Sequence, residues 1–309
     1  MRTDLDHLPA AKQRELDRVV QILFEELHDA TKLATGDTKN GRILKIILYG
    51  SYARGGWVDE PHTSKAYRSD FDLLVIVNQD ELTDRLDYWS RAEERLNVEL
   101  AVTKALHTPV NFIVHTLQQV NDGLAHGRYF FIDIANDGIA LYQSDDTELH
   151  QPKPKTPEQA LALAREYFEE WFPSAAEFFD DFRANTEKHR YKKAAFELHQ
   201  CVERLYHCVL LVRTFYTPHV HNLIFLRTQA ERLDRRLFEA WPREKRKDRA
   251  AFEKLKDAYV KARYSKHYRI DLEELTWLGT HAEELGRVVH AICTEQISVL
   301  TSELSKKSI

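Results

Sequence analysis

The segment QPKPKTP, Gln151 to Pro157, places three prolines in seven positions with no hydrophobic period. Such a stretch neither continues a helix nor sits inside a sheet, so it divides the 309-residue chain. The two sides follow different rules. Beyond it every apolar run has helical spacing, from Ala160, Ala164, Phe168 and Trp171 through Leu198, Val202, Leu205 and Val209 to Leu278, Ala282, Leu285 and Val289. Five such segments predict an antiparallel helix bundle. Before the prolines, an amphipathic helix covering Leu16 to Leu27 leads into β-rich runs at Ile43 to Tyr49, Leu73 to Val77, Val110 to Val114 and Ile139 to Tyr142. A helix is expected over Asp80 to Leu96 and a short one from Thr116 to near Gly127. The fold class is α+β, with an α/β domain holding a small mixed sheet over 1–150, a linker at 151–157 and an all-α bundle over 158–309.

Hydrophobic residues make up 43% of the chain, which excludes a disordered protein. No run approaches the ~20 apolar residues of a membrane span. The opening MRTDLDHLPAAKQ lacks the basic-then-apolar pattern of a secretory signal, so a cytoplasmic protein without a membrane partner is expected. Cys201, Cys208 and Cys293 fall in helical contexts without metal-like spacing. Charge is uneven: residues 1–150 carry 16 Lys+Arg against 25 Asp+Glu, a net of -9, and the remainder carries 28 against 24, a net of +4. Basic runs at Arg183 to Lys193 and Pro242 to Arg249 are solvated faces or contacts for phosphate.

Two patterns carry chemistry in the first half. The strand ending at Tyr49 runs into GSYARG, Gly50 to Gly55. A glycine and a serine at a strand-to-helix turn let backbone N–H groups and a hydroxyl approach a phosphate. Then Asp70 and Asp72, two residues apart at the mouth of the next strand, point to one face and repel unless a cation lies between them. Hard oxygen ligands select Mg²⁺, which completes its shell with water and substrate phosphates.

GSYARG followed by SDFDLLVIV from Ser69 resembles the signature of the DNA polymerase β-like nucleotidyltransferase superfamily, in particular its minimal members, over roughly Gly41 to Tyr142. The resemblance implies that Gly50 and Ser51 hold a triphosphate, with Arg54 aiding, and that Asp70 and Asp72 bind Mg²⁺ and are catalytic. ATP or another nucleoside triphosphate is the implied substrate. The family takes a third carboxylate from a later strand, here PVNFIVH, where Pro109 or Asn111 stands instead; Glu99 is the alternative source.

In the second half, Arg263 and His267 of ARYSKHY are spaced to share a helix face. This region, with FELHQCVERLYHCVLL and TPHVHNL, resembles a HEPN domain. Such domains, of the RNase type, carry an Arg and a His separated by four to six intervening residues, brought together across a homodimer interface; here only three intervene, one short of that spacing. The order of the two halves resembles fused HEPN/nucleotidyltransferase proteins related to toxin-antitoxin pairs, in which AMP is added to a tyrosine near the HEPN motif. That makes Tyr264 and Tyr268 the possible acceptors, RNA (tRNA or mRNA) a partner, and a homodimer the expected assembly. His199, Gln200 and Glu203, on one helix, are either a polar site or a hydrogen-bonded interior or dimer contact, and His219 and His221 follow Pro218 in a loop with a chance of RNA contact. The leading function is Mg²⁺-dependent transfer of AMP from ATP to a hydroxyl. The alternatives are an aminoglycoside-type antibiotic nucleotidyltransferase, which VNFIVH and LAHGRYFF loosely resemble, and a nucleotide-sensing regulator of weak catalysis.

Overall fold

A computed structural model of the chain describes residues 1–32, 40–57, 69–144, 148–218 and 220–307. The chain divides into two compact units, Met1–Pro154 and Lys155–Ile309. The architecture is α+β, with a mixed sheet in the first unit and helices throughout the second.

Four strands, β1 (Ile43–Tyr49), β2 (Phe71–Val77), β3 (Val110–Thr116) and β4 (Ile139–Gln143), form one sheet in the order β3-β2-β1-β4. β1 pairs antiparallel with β2 and β4, and β2 pairs parallel with β3. Every residue of β1 and β2 is buried, which is why both read as unbroken apolar runs rather than alternating ones. Helix α1 (Ala10–Thr31) buries Leu16, Val19, Ile22 and Leu23 in the same core as Ile46, Leu48, Leu73 and Val75. Its Glu15 accepts from the backbone N–H groups of His107 and Thr108 at 2.8 and 2.9 Å, tying the loop before β3 to the helix. Burial alone would raise the Glu15 carboxyl, but these bonds and Lys12 bring it below its ordinary value.

The expected single helix over Asp80 to Leu96 is broken. A 3₁₀ turn at Glu81–Thr83 is followed by α3 (Arg85–Tyr88) and α4 (Ser90–Val98). Asp84 restarts the helix by accepting from the N–H groups of Leu86 and Asp87, and the fully buried Trp89 donates its indole N–H back to the Leu82 carbonyl at 2.7 Å. Thr116 and Gln119 form a reciprocal cap that opens α5 (Leu117–Ala125), and α6 (Tyr129–Asp137) follows.

In the second unit, Thr156 and Gln159 cap α7 (Pro157–Glu187), so the last proline of QPKPKTP is the first helical residue, where a missing N–H costs nothing. Pro173 lies inside α7 on its exposed side, where the carbonyl it leaves without a helical partner can be hydrated. Helices α8 (Tyr191–Thr214), α9 (Leu223–Leu233), the short α10 (Arg236–Glu239), α11 (Arg246–Tyr264) and α12 (Leu272–Lys307) complete the bundle. α8 is its centre, with Leu198, Val202, Tyr206, Val209 and Val212 fully buried. All three cysteines are free and buried. No helix among the described residues is long and apolar enough to cross a membrane.

Candidate nucleotide site and helical-unit polar cluster

Sheet register sets the first site. Tyr49, the last residue of β1, lies opposite Asp72, and Asp72 lies opposite Asn111. The end of β1 therefore delivers Gly50 and Ser51 beside the start of β2, where Asp70 and Asp72 share a face. Gly50 opens α2 (Gly50–Arg54) with φ +77°, a backbone conformation that side chains with a Cβ rarely adopt. The Ser51 hydroxyl oxygen is buried with no hydrogen-bond partner among the described residues. A buried polar atom of this kind costs about 1–3 kcal/mol unless a ligand or water satisfies it. Asp72 is fully buried and Asp70 half-buried.

Asn111 occupies the position on β3 where a third carboxylate was sought. Its amide Nδ2–H donates to Asp70 Oδ2 at 2.8 Å. An amide neutralises no charge and takes no proton as a base. Glu99 does not supply the missing acid: it is nearly buried against α1, accepting from Arg18 Nε at 3.0 Å, with Arg95 Nε 3.7 Å away. The Arg18 hydrogen bond holds it below the usual carboxylate range, with burial opposing. Arg54 is exposed at the end of α2, and its charge reaches Asp133 of α6. Among the described residues no three His, Cys, Asp or Glu side chains are grouped to hold a metal ion. The donor set at this end, two carboxylates and a buried serine hydroxyl beside a glycine turn, fits one hard cation whose remaining ligands come from phosphate and water.

The second expected constellation is rearranged. α11 ends at Tyr264, Ser265 is extended, and His267 lies in the turn beyond, so Arg263 and His267 do not share a helix face. The backbone N–H of His267 donates to Ser265 Oγ, and its exposed ring has no hydrogen-bond or ring partner among the described residues. Tyr268 is buried and donates its hydroxyl to the Lys254 carbonyl at 2.9 Å, burial pushing that hydroxyl's pKa up. This corrects its standing as an accessible acceptor. Tyr264 is 77% exposed. Arg263 is exposed, with its guanidinium carbon 4.4 Å from the Tyr259 ring centre, 5.0 Å from Phe196 and 5.1 Å from Tyr264.

The expected hydrogen-bonded interior on α8 exists and is larger than its one-helix pattern suggested. Glu203 Oε2 lies 3.2 Å from His199 Nε2, and both Glu203 oxygens lie 3.1 Å from His221 Nδ1. His219 lies outside the described residues. The His221 ring stacks on Tyr259 at 4.1 Å and 18°.

Residues 168–292 match the HEPN domain family, in accord with the resemblance of the second half. No curated protein matches the chain. Among solved structures, the chain is similar to a nucleotidyltransferase-like protein from Exiguobacterium sibiricum 255-15, with 14% identity and a TM-score of 0.28 over 93% of this chain and 80% of that one.

Proposed function

We propose that the first unit is a Mg²⁺-dependent nucleotidyltransferase that moves AMP from ATP to a hydroxyl, and that the HEPN unit handles RNA, in a homodimer. The observation that carries the first half of this reading is the register Tyr49, Asp72, Asn111, which sets a glycine-serine turn, its hydroxyl without a hydrogen-bond partner among the described residues, against two carboxylates. Gly50 and Ser51 hold the phosphates through backbone N–H groups and the Ser51 hydroxyl; Asp70 and Asp72 hold the cation. Magnesium, when bound, neutralises triphosphate charge and polarises the α-phosphorus. The acceptor oxygen attacks that phosphorus, the bond to the β-phosphate bridging oxygen breaks, pyrophosphate leaves, and the acceptor proton passes to solvent. Of the two tyrosine acceptors, Tyr264 is the accessible one.

Asp72→Asn keeps the shape and removes one anionic ligand. Mg²⁺-ATP affinity should fall about tenfold or more, equivalent to at least ~1.4 kcal/mol. Isothermal titration of a variant with parental circular dichroism checks it, and unchanged affinity would sink the metal assignment. The regulatory reading is favoured by one observation, the Asn111 amide standing where a base is needed. ATP binding without label incorporation into protein, RNA or small hydroxyl compounds would select it over transfer.

A further inference from the structure

The basic run Pro242 to Arg249 divides in two. Lys245, Arg246 and Lys247 are exposed, and Lys247 pairs with Glu273. Arg243 and Arg249 instead line a cleft of about 190 Å³, together with Arg227 of α9 and the apolar side chains of Ile224, Pro242 and Phe252. Arg249 Nη1 donates to the Glu244 carbonyl at 3.0 Å and to that of Arg243, which folds the segment back on itself at the cleft. Arg227 is the unusual member. Helix α9 buries it along with Leu223, Leu226 and Ala230, and its side chain is only 10% exposed. Its guanidinium carbon lies 4.5 Å from the Phe252 ring centre. Glu231, one turn on, accepts at Oε1 from Arg227 Nε at 2.8 Å and from Arg243 Nη2. That leaves Arg227 Nη2 and Arg243 Nε, both buried with no hydrogen-bond partner among the described residues. A buried donor on a charged group costs more than a neutral one when it goes unmet, so both nitrogens call for an acceptor.

We propose that this cleft binds a small phosphomonoester, a phosphate dianion carried on a short organic stem. Charge supports the dianion. Three guanidiniums stand against the one carboxylate of Glu231, because Glu253, which also lines the cleft, is paired with Lys256. Two positive charges remain, and a singly charged diester or carboxylate would meet only one of them. Geometry supports the phosphate. A guanidinium is a planar fork of donors whose spacing matches two phosphate oxygens. The Phe252 ring and Glu231 already hold the Arg227 plane, so binding gives up little side-chain freedom. Volume sets the stem. Clefts that enclose drug-sized ligands run to about 300–1,000 Å³, so this one is too small for a whole nucleotide. It holds the phosphate and a few further atoms against Ile224, Pro242 and Phe252. Every residue of the cleft belongs to the second unit, and none of the chemistry needs a metal ion.

The test is isothermal titration of the full chain with phenyl phosphate, in chelator so that no divalent ion assists binding elsewhere. The parent should bind it. Benzenesulfonate, the same ring with a single charge, and inorganic phosphate, without the stem, should each bind about tenfold more weakly or worse. Arg249→Gln, at an exposed position, should lower phenyl phosphate affinity about tenfold while melting like the parent. Arg227→Gln should lower it further; it removes a buried side chain, so if it melts early the Arg249 variant decides alone. Lys247→Gln takes the same charge from the same run outside the cleft and should leave affinity unchanged. No binding at millimolar phenyl phosphate, benzenesulfonate bound as tightly, or unchanged affinity in Arg249→Gln overturns the site. An equal loss in Lys247→Gln reduces it to diffuse surface charge and likewise overturns it, and inorganic phosphate bound as tightly as phenyl phosphate overturns the organic ligand.

Discussion

Asp70 and Asp72 in the sheet unit and Glu203 in the bundle are acids near or beneath the surface, settled by opposite means. At the sheet, two carboxylates share a strand face, and the neighbouring strand answers with the neutral Asn111, which donates to Asp70. In the bundle, one carboxylate faces three histidines, with ring nitrogens of His199 and His221 within 3.2 Å of its oxygens and His207 Nε2 3.9 Å away. The sheet site, two carboxylates beside a glycine-serine turn, suits a hard cation from outside, while the bundle carboxylate is engaged by histidines of its own unit. Neutralising Glu203 should cost stability at once. Adding charge at Asn111 should cost stability only until a divalent ion arrives.

Glu203→Gln is expected to have the larger effect. It keeps the shape but gives the fully buried His199 and the half-exposed His221 a neutral partner, at a cost of about 2 kcal/mol at neutral pH, read from urea midpoints. The sign of the pH dependence follows from the direction of the shift. The Glu203 carboxyl is below its ordinary 4.5 in the folded protein. Its contribution is thus fully present above that value and is lost as pH falls through the lower folded value. The gap between parent and variant should close below pH 4.5. A gap that stays constant down to the folded value would show that ionised Glu203 is not the source.

Asn111→Asp addresses the other side with a smaller effect. Without divalent ions it replaces the 2.8 Å amide bond to Asp70 by a like-charge contact and should cost about 1 kcal/mol. Millimolar Mg²⁺ should recover that loss and raise the melting temperature more than it raises the parent's. A variant that melts like the parent in both chelator and magnesium would remove the cation from this end of the sheet.

What could be read from the sequence depended on how far each interaction travels along the chain. β1 and β2 were legible because all seven residues of each are buried, and the Asp70–Asp72 pair was legible because two residues on one strand share a face by geometry alone. The break at Asp84 was not, since its cap and the Trp89 indole bond both compete with a helical period that runs straight across them. α6 was missed because YFFIDIAND carries apolar residues at its start without a sustained helical stripe. The His221–Glu203 contact joins a loop to a helix 18 residues earlier, and no periodicity encodes that. His267 misled through spacing: an i, i+4 pair shares a face only while the helix lasts, and α11 stops at Tyr264.

The smallest structural effect is expected at that last residue, and it separates the two units' chemistries. Tyr264 is 77% exposed, and its recorded partner among the described residues is the Arg263 guanidinium, so Tyr264→Phe keeps the ring and should change stability by no more than about 0.5 kcal/mol. Removing the hydroxyl removes the one accessible acceptor among the two tyrosines of the motif. If the sheet unit adenylylates it, intact mass after incubation with ATP and Mg²⁺ should show an AMP-sized increment in the parent that Tyr264→Phe abolishes. A phosphodiester at that position would also set negative charge beside Arg263, where an RNA phosphate would bind, so RNA affinity of the modified parent should fall. An increment that survives Tyr264→Phe places the acceptor elsewhere. Modified protein that binds RNA as tightly as before would mean that the nucleotide and RNA chemistries do not meet at Arg263.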